Sequence, residues 1–319
     1  MGFTDPPPRD GILHLTEGGF ETELMFLHGF DLPCFAAFTL LDTPEGTAAL
    51  DGLYRRACDA AAEAGCAPMI GWLNYRASPD WGARLGLSPE GLREATLRSI
   101  DFLDGIRKDY EGQVPDFLVT DDLGPRGDAY GTGGEITEAE AEDYHSVQLE
   151  TLKGSAVDVV TAATFNNVPE AIGAARAAQA LDIPLPIYWS LNAESRLASG
   201  PTLQEAVEAV DAAVPGAVPW HATNCSHPVE FEPALTDGPW LKRLRAVRPN
   251  AAAMDKIALC KLGHLEEGDP PELGRQIGEI ARRFPHMDIW GGCCGTGEVH
   301  LDEIATKVRA ARAAQVGSP

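Results

Sequence analysis

The sequence lacks any long apolar run. No stretch reaches the roughly 18 consecutive apolar residues that a membrane-spanning helix needs, so no membrane span is predicted. The first residues, MGFTDPPPRDG, are polar and rich in proline, and they have no apolar core of the kind found in secretory signals. We therefore expect a cytoplasmic protein with a short flexible N-terminus over residues 1–10.

Positive charge is also scarce. The chain has 25 Lys and Arg residues against 48 Asp and Glu, which gives a formal net charge of −23. A polyanion of this strength repels nucleic acid and anionic lipid, so neither nucleic acid nor a membrane is an expected partner. The hydrophobic fraction of 44% is nevertheless enough to bury a sizeable core, and no linker divides the chain. We predict one domain spanning residues 1–319.

The fold class follows from a regular alternation of two kinds of segment. Short apolar or β-branched runs predict strands at Ile12–Thr16, Pro68–Trp72, Phe117–Thr120, Asp158–Ala163, Pro186–Leu191, Pro219–Asn224, Ala252–Ile257 and Met287–Trp290. Longer Ala-, Leu- and Glu-rich segments predict helices at Pro44–Ala64, Pro89–Tyr110, Glu138–Gly154, Pro169–Leu181, Thr202–Ala213, Trp240–Val247, Pro271–Phe284 and His300–Ala314. Eight strand–helix units favour a closed (β/α)₈ TIM barrel. An open dinucleotide-binding sheet is disfavoured because the loop after the first strand, Glu17-Gly18-Gly19-Phe20, is not G-x-G-x-x-G.

Three of the seven cysteines fall where such a barrel places its active site. Cys225 ends the sixth predicted strand, and the adjacent pair Cys293 and Cys294 follows the eighth, between glycines. Three thiolates suit a soft ion such as Zn²⁺ whose fourth position accepts another sulfur, which points to alkyl transfer to a thiol. The same residues also allow a redox pair, or two small buried side chains in a tight turn.

These motifs together resemble a known family. GGCCGTGEVH near the C-terminus, the Asn224-Cys225 pair at a strand end, and TEGGFETEL near the N-terminus are similar to the homocysteine S-methyltransferase family. LGPRGDAYG at 123–131 and IYWSLNAESRLASGPTLQEAV fit the same family, so the resemblance covers about residues 12–312. It implies a (β/α)₈ barrel in which Cys225, Cys293 and Cys294 bind Zn²⁺ and act in catalysis through it. It also implies a set of substrate-binding residues: Glu17, Gly18, Gly19, Trp72, Asn74, Thr164 and Asn224.

The chain departs from the family at the pocket for the amino-acid end of homocysteine. The family usually has Asp-Gly-Gly where this chain has Glu17-Gly18-Gly19, and it carries a Glu where this chain has Ala163. That Glu holds the amino group of homocysteine, so another acid must take its place if homocysteine is the acceptor. The candidates are Glu17, Glu21, Glu23 and Asp122, and Glu17 is the best placed by sequence. Trp72 and Tyr75 are either core aromatics or π faces for an onium methyl donor.

The leading hypothesis is therefore a zinc-dependent S-methyltransferase. It would move a methyl group from a small sulfonium or quaternary ammonium donor to a thiol, with homocysteine, giving methionine, as the leading acceptor. The alternatives are the same chemistry on another thiol or selenol, favoured by Ala163, and a non-catalytic zinc-binding barrel. The expected partners are small molecules, and the oligomeric state is not predicted.

Overall fold

Eight parallel strands close into a barrel in the computed structural model, which describes residues 11–130 and 136–316. Each strand pairs with the next along the chain, and the first also pairs with the last. The strands are β1 (His14–Thr16), β2 (Ala67–Ile70), β3 (Leu118–Leu123), β4 (Val159–Phe165), β5 (Ile187–Trp189), β6 (His221–Asn224), β7 (Leu244–Arg248) and β8 (Ile289–Trp290). The predicted (β/α)₈ barrel is confirmed. The predicted flexible segment 1–10 lies outside the described residues.

Helices lie between the strands and cover the outside of the barrel. They are α1 (Phe20–Phe26), α2 (Pro44–Glu63), α3 (Pro79–Arg84), α4 (Pro89–Asp109), α5 (Glu138–Leu152), α6 (Val168–Ala180), α7 (Leu203–Ala213), α8 (Pro228–Phe231), α9 (Lys256–Lys261), α10 (Pro270–Arg283) and α11 (Glu298–Val316). Short 3₁₀ helices occur at Pro33–Phe35, Ala37–Asp42, Glu232–Ala234 and Pro239–Arg243. Within the described ranges, no helix is long and apolar enough to cross a bilayer.

The long helices begin where their capping residues predict. The Thr43 hydroxyl accepts a hydrogen bond from Gly46 N–H at the start of α2, and Ser88 caps α4 in the same way. Thr137 and Glu140 form a complete capping box at the start of α5. The strands between these helices are almost wholly buried, because helices cover the outer face of the sheet and side chains fill its interior.

The seventh strand lies elsewhere than predicted. The prediction of a strand at Ala252–Ile257 and a helix at Trp240–Val247 is wrong: Pro239–Arg243 is a 3₁₀ helix and Leu244–Arg248 is β7. A short apolar run can form either a strand or a buried helix. Here Leu244–Arg248 forms a strand because it pairs with both β6 and β8 and thereby closes the barrel. The correction matters because it places Arg248, rather than residue 257, at the carboxyl end of β7.

Replacing each of two alanines by aspartate tests this position of β7. Ala246 is buried between β6 and β8, whereas Ala253 is exposed in the loop that follows. We expect Ala246→Asp to lower the free energy of unfolding by about 4 kcal/mol or more, because it buries a charge that has no partner. Ala253→Asp should change it by less than about 0.5 kcal/mol in urea denaturation. Equal effects of the two substitutions would contradict the assignment.

Candidate active site at the carboxyl ends of the strands

The three cysteines singled out in the sequence come together at one end of the barrel. Cys225 follows β6, and Cys293 and Cys294 follow β8. Their Sγ atoms all lie within 4.8 Å of one another. Cys225 and Cys293 are joined as a disulfide with Cα atoms 5.4 Å apart, and Cys294 Sγ lies 4.0 Å from the Tyr130 hydroxyl. Three sulfurs this close can share one ion, since tetrahedral zinc sites hold sulfur at about 2.3 Å from the metal.

The end of β7 positions these cysteines through its backbone. Cys225 N–H donates to Arg248 O at 3.1 Å, and Cys293 N–H donates to Pro249 O at 2.8 Å. The Thr296 hydroxyl closes the turn after the pair by donating to Cys293 O at 2.7 Å. The carboxyl end of β7 is therefore hydrogen-bonded to both the loop after β6 and the loop after β8, and it holds the two loops side by side.

Gly18 and Gly19 pack directly against the cysteine turn. A Cβ atom on Gly19 would lie 2.3 Å from Cys293 O, and one on Gly18 would lie 2.4 Å from Thr296 O. Gly19 N–H also donates to Thr296 O at 2.9 Å. The need for glycine is thus explained by close contact with the cysteine turn. The substrate contact expected for Gly18 and Gly19 from the sequence stays a prediction.

Glu17 is engaged by Arg248, a residue that the sequence analysis missed. Arg248 Nη2 lies 2.8 Å from Glu17 Oε1, and Gly71 N–H donates to Glu17 Oε2 at 3.2 Å. Burial raises the pKa of Glu17, while the Arg248 guanidinium acts in the opposite direction. Arg248 was missed because the strand that carries it was placed too far along the chain. An arginine at the carboxyl end of a barrel strand is typical of an active site, so the correct strand assignment would have indicated Arg248.

The Trp72 indole already has a cation on its face. The Arg248 guanidinium carbon lies 3.7 Å from the ring centre, and Tyr188 packs edge-on at 5.6 Å. A cation–π contact of this kind was expected for an onium donor, but the protein's own arginine makes it on this face. Trp72 thereby packs against the guanidinium of Arg248 and helps to hold it in place beside Glu17.

Three of the predicted site residues have left-handed backbone conformations. φ is +69° at Trp72, +60° at Thr164 and +47° at Cys225, at the ends of β2, β4 and β6. Non-glycine residues pay about 1–3 kcal/mol for such conformations, which cluster at functional sites. Asn224 holds the strained Thr164: its Oδ1 accepts from Thr164 N–H at 3.0 Å and its Nδ2 donates to Thr164 Oγ1 at 2.7 Å. Asn224 is a positioning residue in this arrangement.

Asn74 is hydrogen-bonded toward the outer helices, and the substrate role expected for it stays a prediction. Its Nδ2 donates to Thr96 O on α4 at 3.2 Å, and its backbone carbonyl accepts from Gln148 Nε2 on α5 at 3.1 Å. The side chain therefore lies between the sheet and the outer helices. Asn74 thus points outward although Trp72 and Tyr75, on either side of it, reach the mouth, and no local motif reveals this difference.

Two further polar groups reach the site: Tyr75, which the sequence offered as a core aromatic or a π face for a donor, and Lys256, which the sequence analysis did not single out. The Tyr75 hydroxyl is hydrogen-bonded with the Thr164 side chain, and burial raises its pKa. Lys256, which begins α9, donates from Nζ to Leu191 O and, at 3.3 Å, to Ser226 Oγ. Burial lowers the pKa of Lys256, and the nearby acids and Cys294 act in the opposite direction. Tyr75 and Lys256 thus add polar groups around the cysteine cluster.

The Glu17–Arg248 pair gives a test of how the mouth is held together. Arg248→Met should lower the free energy of unfolding by about 3–5 kcal/mol, because it leaves a buried carboxylate without its partner. The double variant Glu17→Gln/Arg248→Met should lower the free energy of unfolding clearly less, because it leaves no unpaired buried charge. The exposed pair of Arg93 and Glu90, 3.7 Å apart, provides a control in which Arg93→Met changes little. Additive losses in urea denaturation would show that the pair is not coupled.

Glu21 gives a pH-dependent test. It is half-buried on α1, and burial raises its pKa from 4.5 to about 7. The folded protein therefore resists ionisation of this group more than the unfolded chain, so stability is lost as the pH rises from about 4.5 through about 7. Glu21→Gln removes this loss. We expect the variant to gain stability relative to the wild type between pH 5 and pH 8 in urea denaturation, and a difference independent of pH would contradict the assignment.

Comparisons with known proteins identify the family and agree with the fold. A family model described as homocysteine S-methyltransferase matches residues 14–308. The metallated form of the homocysteine methyltransferase MmuM from Escherichia coli is similar, with 20% sequence identity and a TM-score of 0.69 over 94% of this chain and 97% of that chain. The oxidized form of the same enzyme is 22% identical, with a TM-score of 0.69 over 93% of this chain and 96% of that chain. At these identities, the structural likeness supports the fold alone.

No match was found among the curated proteins. The family model nevertheless covers nearly the whole barrel, including all three cysteines of the cluster. This chain is a methyltransferase and belongs to the homocysteine S-methyltransferase family.

Proposed function

We propose that the protein is a zinc-dependent S-methyltransferase that moves a methyl group from a small sulfonium or quaternary ammonium donor to homocysteine, giving methionine. The observation that carries the proposal is the convergence of three cysteine sulfurs within 4.8 Å, at the active end of the barrel, in a member of this family. The existence of a metallated form of the E. coli relative supports a metal at this place.

The cysteine cluster fits Zn²⁺ by its donor set. Three sulfurs from two loops leave one tetrahedral position for a further ligand, as in zinc sites that keep an open position for substrate. Zinc bound there would supply a Lewis acid that lowers the pKa of an incoming thiol. The Cys225–Cys293 disulfide must be reduced before both sulfurs can act as ligands. The proposal therefore places the protein in the cytoplasm, where thiols stay reduced.

The barrel residues would hold and orient the two reactants. Cys225, Cys293 and Thr164 are buried, so water has little access to the place where the methyl group moves. In the reaction the acceptor sulfur forms a bond to the methyl carbon while the donor's bond to that carbon breaks. The donor leaves as a neutral sulfide or amine, and the proton of the thiol passes to solvent. A positively charged donor beside acids of the mouth such as Glu21 would favour their ionised forms and be held by them.

A different acceptor is the second candidate. Ala163, which is fully buried near the end of β4, leaves no carboxylate at the position where the family is expected to hold the amino group of homocysteine. An acceptor thiol or selenol without an amino group would not need one. A panel of acceptors assayed with one donor separates these two candidates.

Zinc content tests the proposed ligands. Protein purified under reducing conditions without chelator should contain about one Zn per chain. Cys225→Ser, Cys293→Ser and Cys294→Ser should each lose most of the metal, and methyl transfer to homocysteine should fall with it. Cys34→Ser is the matched control, because Cys34 lies outside the cluster. Elemental analysis and a methyl-transfer assay with S-methylmethionine and betaine provide the readouts.

Three results would contradict parts of this proposal. Full zinc content in the three ligand variants would show that the site is misassigned. Zinc that is bound but supports no methyl transfer with any donor would favour a non-catalytic zinc-binding barrel. Methyl transfer that survives removal of the metal by a chelator would show that zinc is not needed.

A further inference from the structure

Ala163 raises the question of which acid faces the ammonium group of an amino-acid acceptor. Glu17 has its own cation in Arg248, at 2.8 Å. Glu23 is paired with Arg56, at 2.6 Å. These two acids therefore have partners of their own, and Glu21 and Asp122 remain.

Asp122 is a buried carboxyl group to which the described part of the chain offers no hydrogen bond. It lies on β3, its side chain is 0% exposed, and neither carboxylate oxygen has a hydrogen-bond partner among the described residues. Buried polar groups nearly always have a partner, so a carboxyl group left alone at an active site needs an explanation. A ligand that brings its own donor provides one.

The alternation of β3 turns Asp122 toward the inside of the barrel. The neighbouring Asp121 lies near the side-chain amides of Asn74 and Gln148, in the layer between the sheet and the outer helices, although its carboxylate oxygens also have no hydrogen-bond partner among the described residues. Successive side chains of a strand point to opposite faces, so Asp122 points inward. The charges that act on Asp122 agree with this orientation, because Glu17, Glu21 and Arg248 belong to the mouth.

Asp122 and Ala163 lie on the same inner face of adjacent strands. Asp122 is in register with Thr161 on β4, and Ala163 is two residues further toward the carboxyl end. Residues two apart on a strand share a face, and residues in register on parallel strands point the same way. A carboxylate on β3 can therefore serve the part of the mouth that a carboxylate at position 163 of β4 would serve.

The cysteine cluster and Asp122 flank a common tyrosine. Both Asp122 and Cys294 raise the pKa of the Tyr75 hydroxyl, although burial is the largest cause, and Tyr75 is hydrogen-bonded with Thr164, next to Ala163. A small thiol whose sulfur lies at the cysteines and whose chain runs past Tyr75 would bring its other end to Asp122. In homocysteine three carbon atoms separate the sulfur from the nitrogen.

The electrostatics of Asp122 also favour a cationic ligand. Burial raises its pKa, and the neighbouring acids Asp121 and Glu21 raise it further, while Arg248 only partly offsets them. Arg248 is already engaged by Glu17. An ammonium group placed against Asp122 would supply the missing counter-charge and make a charge-assisted hydrogen bond.

We infer that Asp122 binds the α-ammonium group of the acceptor, so that an acid on β3 replaces the one missing at Ala163 and selects amino-acid thiols. The inference rests on the proposed thiol methylation. It differs from the expectation that Glu17 contacts the ammonium group, because Glu17 has its own partner.

Two acceptors that differ only in the ammonium group test this inference. L-Homocysteine and 4-mercaptobutanoate are compared on the reduced, zinc-loaded protein, by KM with one methyl donor and by the dissociation constant from isothermal titration calorimetry. The wild type should prefer homocysteine by about one to two decades, the effect of one charged hydrogen bond. Asp122→Asn should abolish this preference by weakening homocysteine binding and should leave 4-mercaptobutanoate binding unchanged.

Two further variants separate this role from a structural one. Asp121→Asn removes the adjacent buried acid on the outer face and should keep the preference. Asp122→Asn/Ala163→Glu should recover it, because a carboxylate returns to the same inner face. Zinc content and thermal unfolding show whether each variant is folded, and Asp122→Ser is a second replacement should Asp122→Asn fail to fold.

The possible failures are distinguishable. Equal binding of the two thiols by the wild type overturns the inference, and so does a preference that survives in Asp122→Asn or Asp122→Ser. If the zinc-loaded wild type methylates neither thiol with any donor, the proposed function itself fails. The calorimetric comparison still reports in that case whether Asp122 recognises the ammonium group.

Discussion

A single buried ion pair holds the mouth of this barrel together. Arg248, at the end of β7, binds Glu17 after β1, and its Nε donates to Gly292 O beside the cysteine pair, at 3.0 Å. Its own carbonyl accepts from Cys225 N–H, so the loops after β1, β6 and β8 all depend on this one residue. A buried ion pair adds little net stability. Removing one partner, however, leaves the other as an unpaired buried charge, so Glu17 and Arg248 each require the other. The position of the cysteines is thereby coupled to the pairing of Glu17.

The site is built from strained backbone as well as from paired charges. The left-handed residues Trp72, Thr164 and Cys225 end alternate strands, and each is held by a contact of its own. Arg248 stacks on Trp72, Asn224 grips both the backbone and the side chain of Thr164, and the end of β7 holds Cys225. Strain of this kind persists only where surrounding contacts over-determine it, which the closed barrel provides. The outcome is a cluster of three cysteines held together by the ends of the barrel strands.

The acids of the mouth lie on β3, on α1 and after β1, whereas the end of β4 carries none at position 163. Ala163 removes a carboxylate from β4, while Asp122 places one on the inner face of β3, and Glu21 adds another on α1. Arg248 compensates only Glu17, so Asp122 and Glu21 have no counter-charge of their own, and a cationic reactant placed beside them would favour their ionised forms. A carboxylate that moves to the adjacent strand can keep the charge balance of a pocket while changing its shape.

The sequence by itself determined the class of fold and the chemistry of the cluster. Alternating strand and helix segments predicted the barrel, and Asn224-Cys225 with GGCC predicted three sulfurs at one end, because both features are local patterns. It did not determine β7, the partner of Glu17, the contact of Gly18 and Gly19 with the cysteine turn, or the outward position of Asn74. These depend on strand register and on which face each side chain takes. A shift of one residue reverses the face, so only the closed barrel could decide that Arg248 and Asp122 point into the mouth.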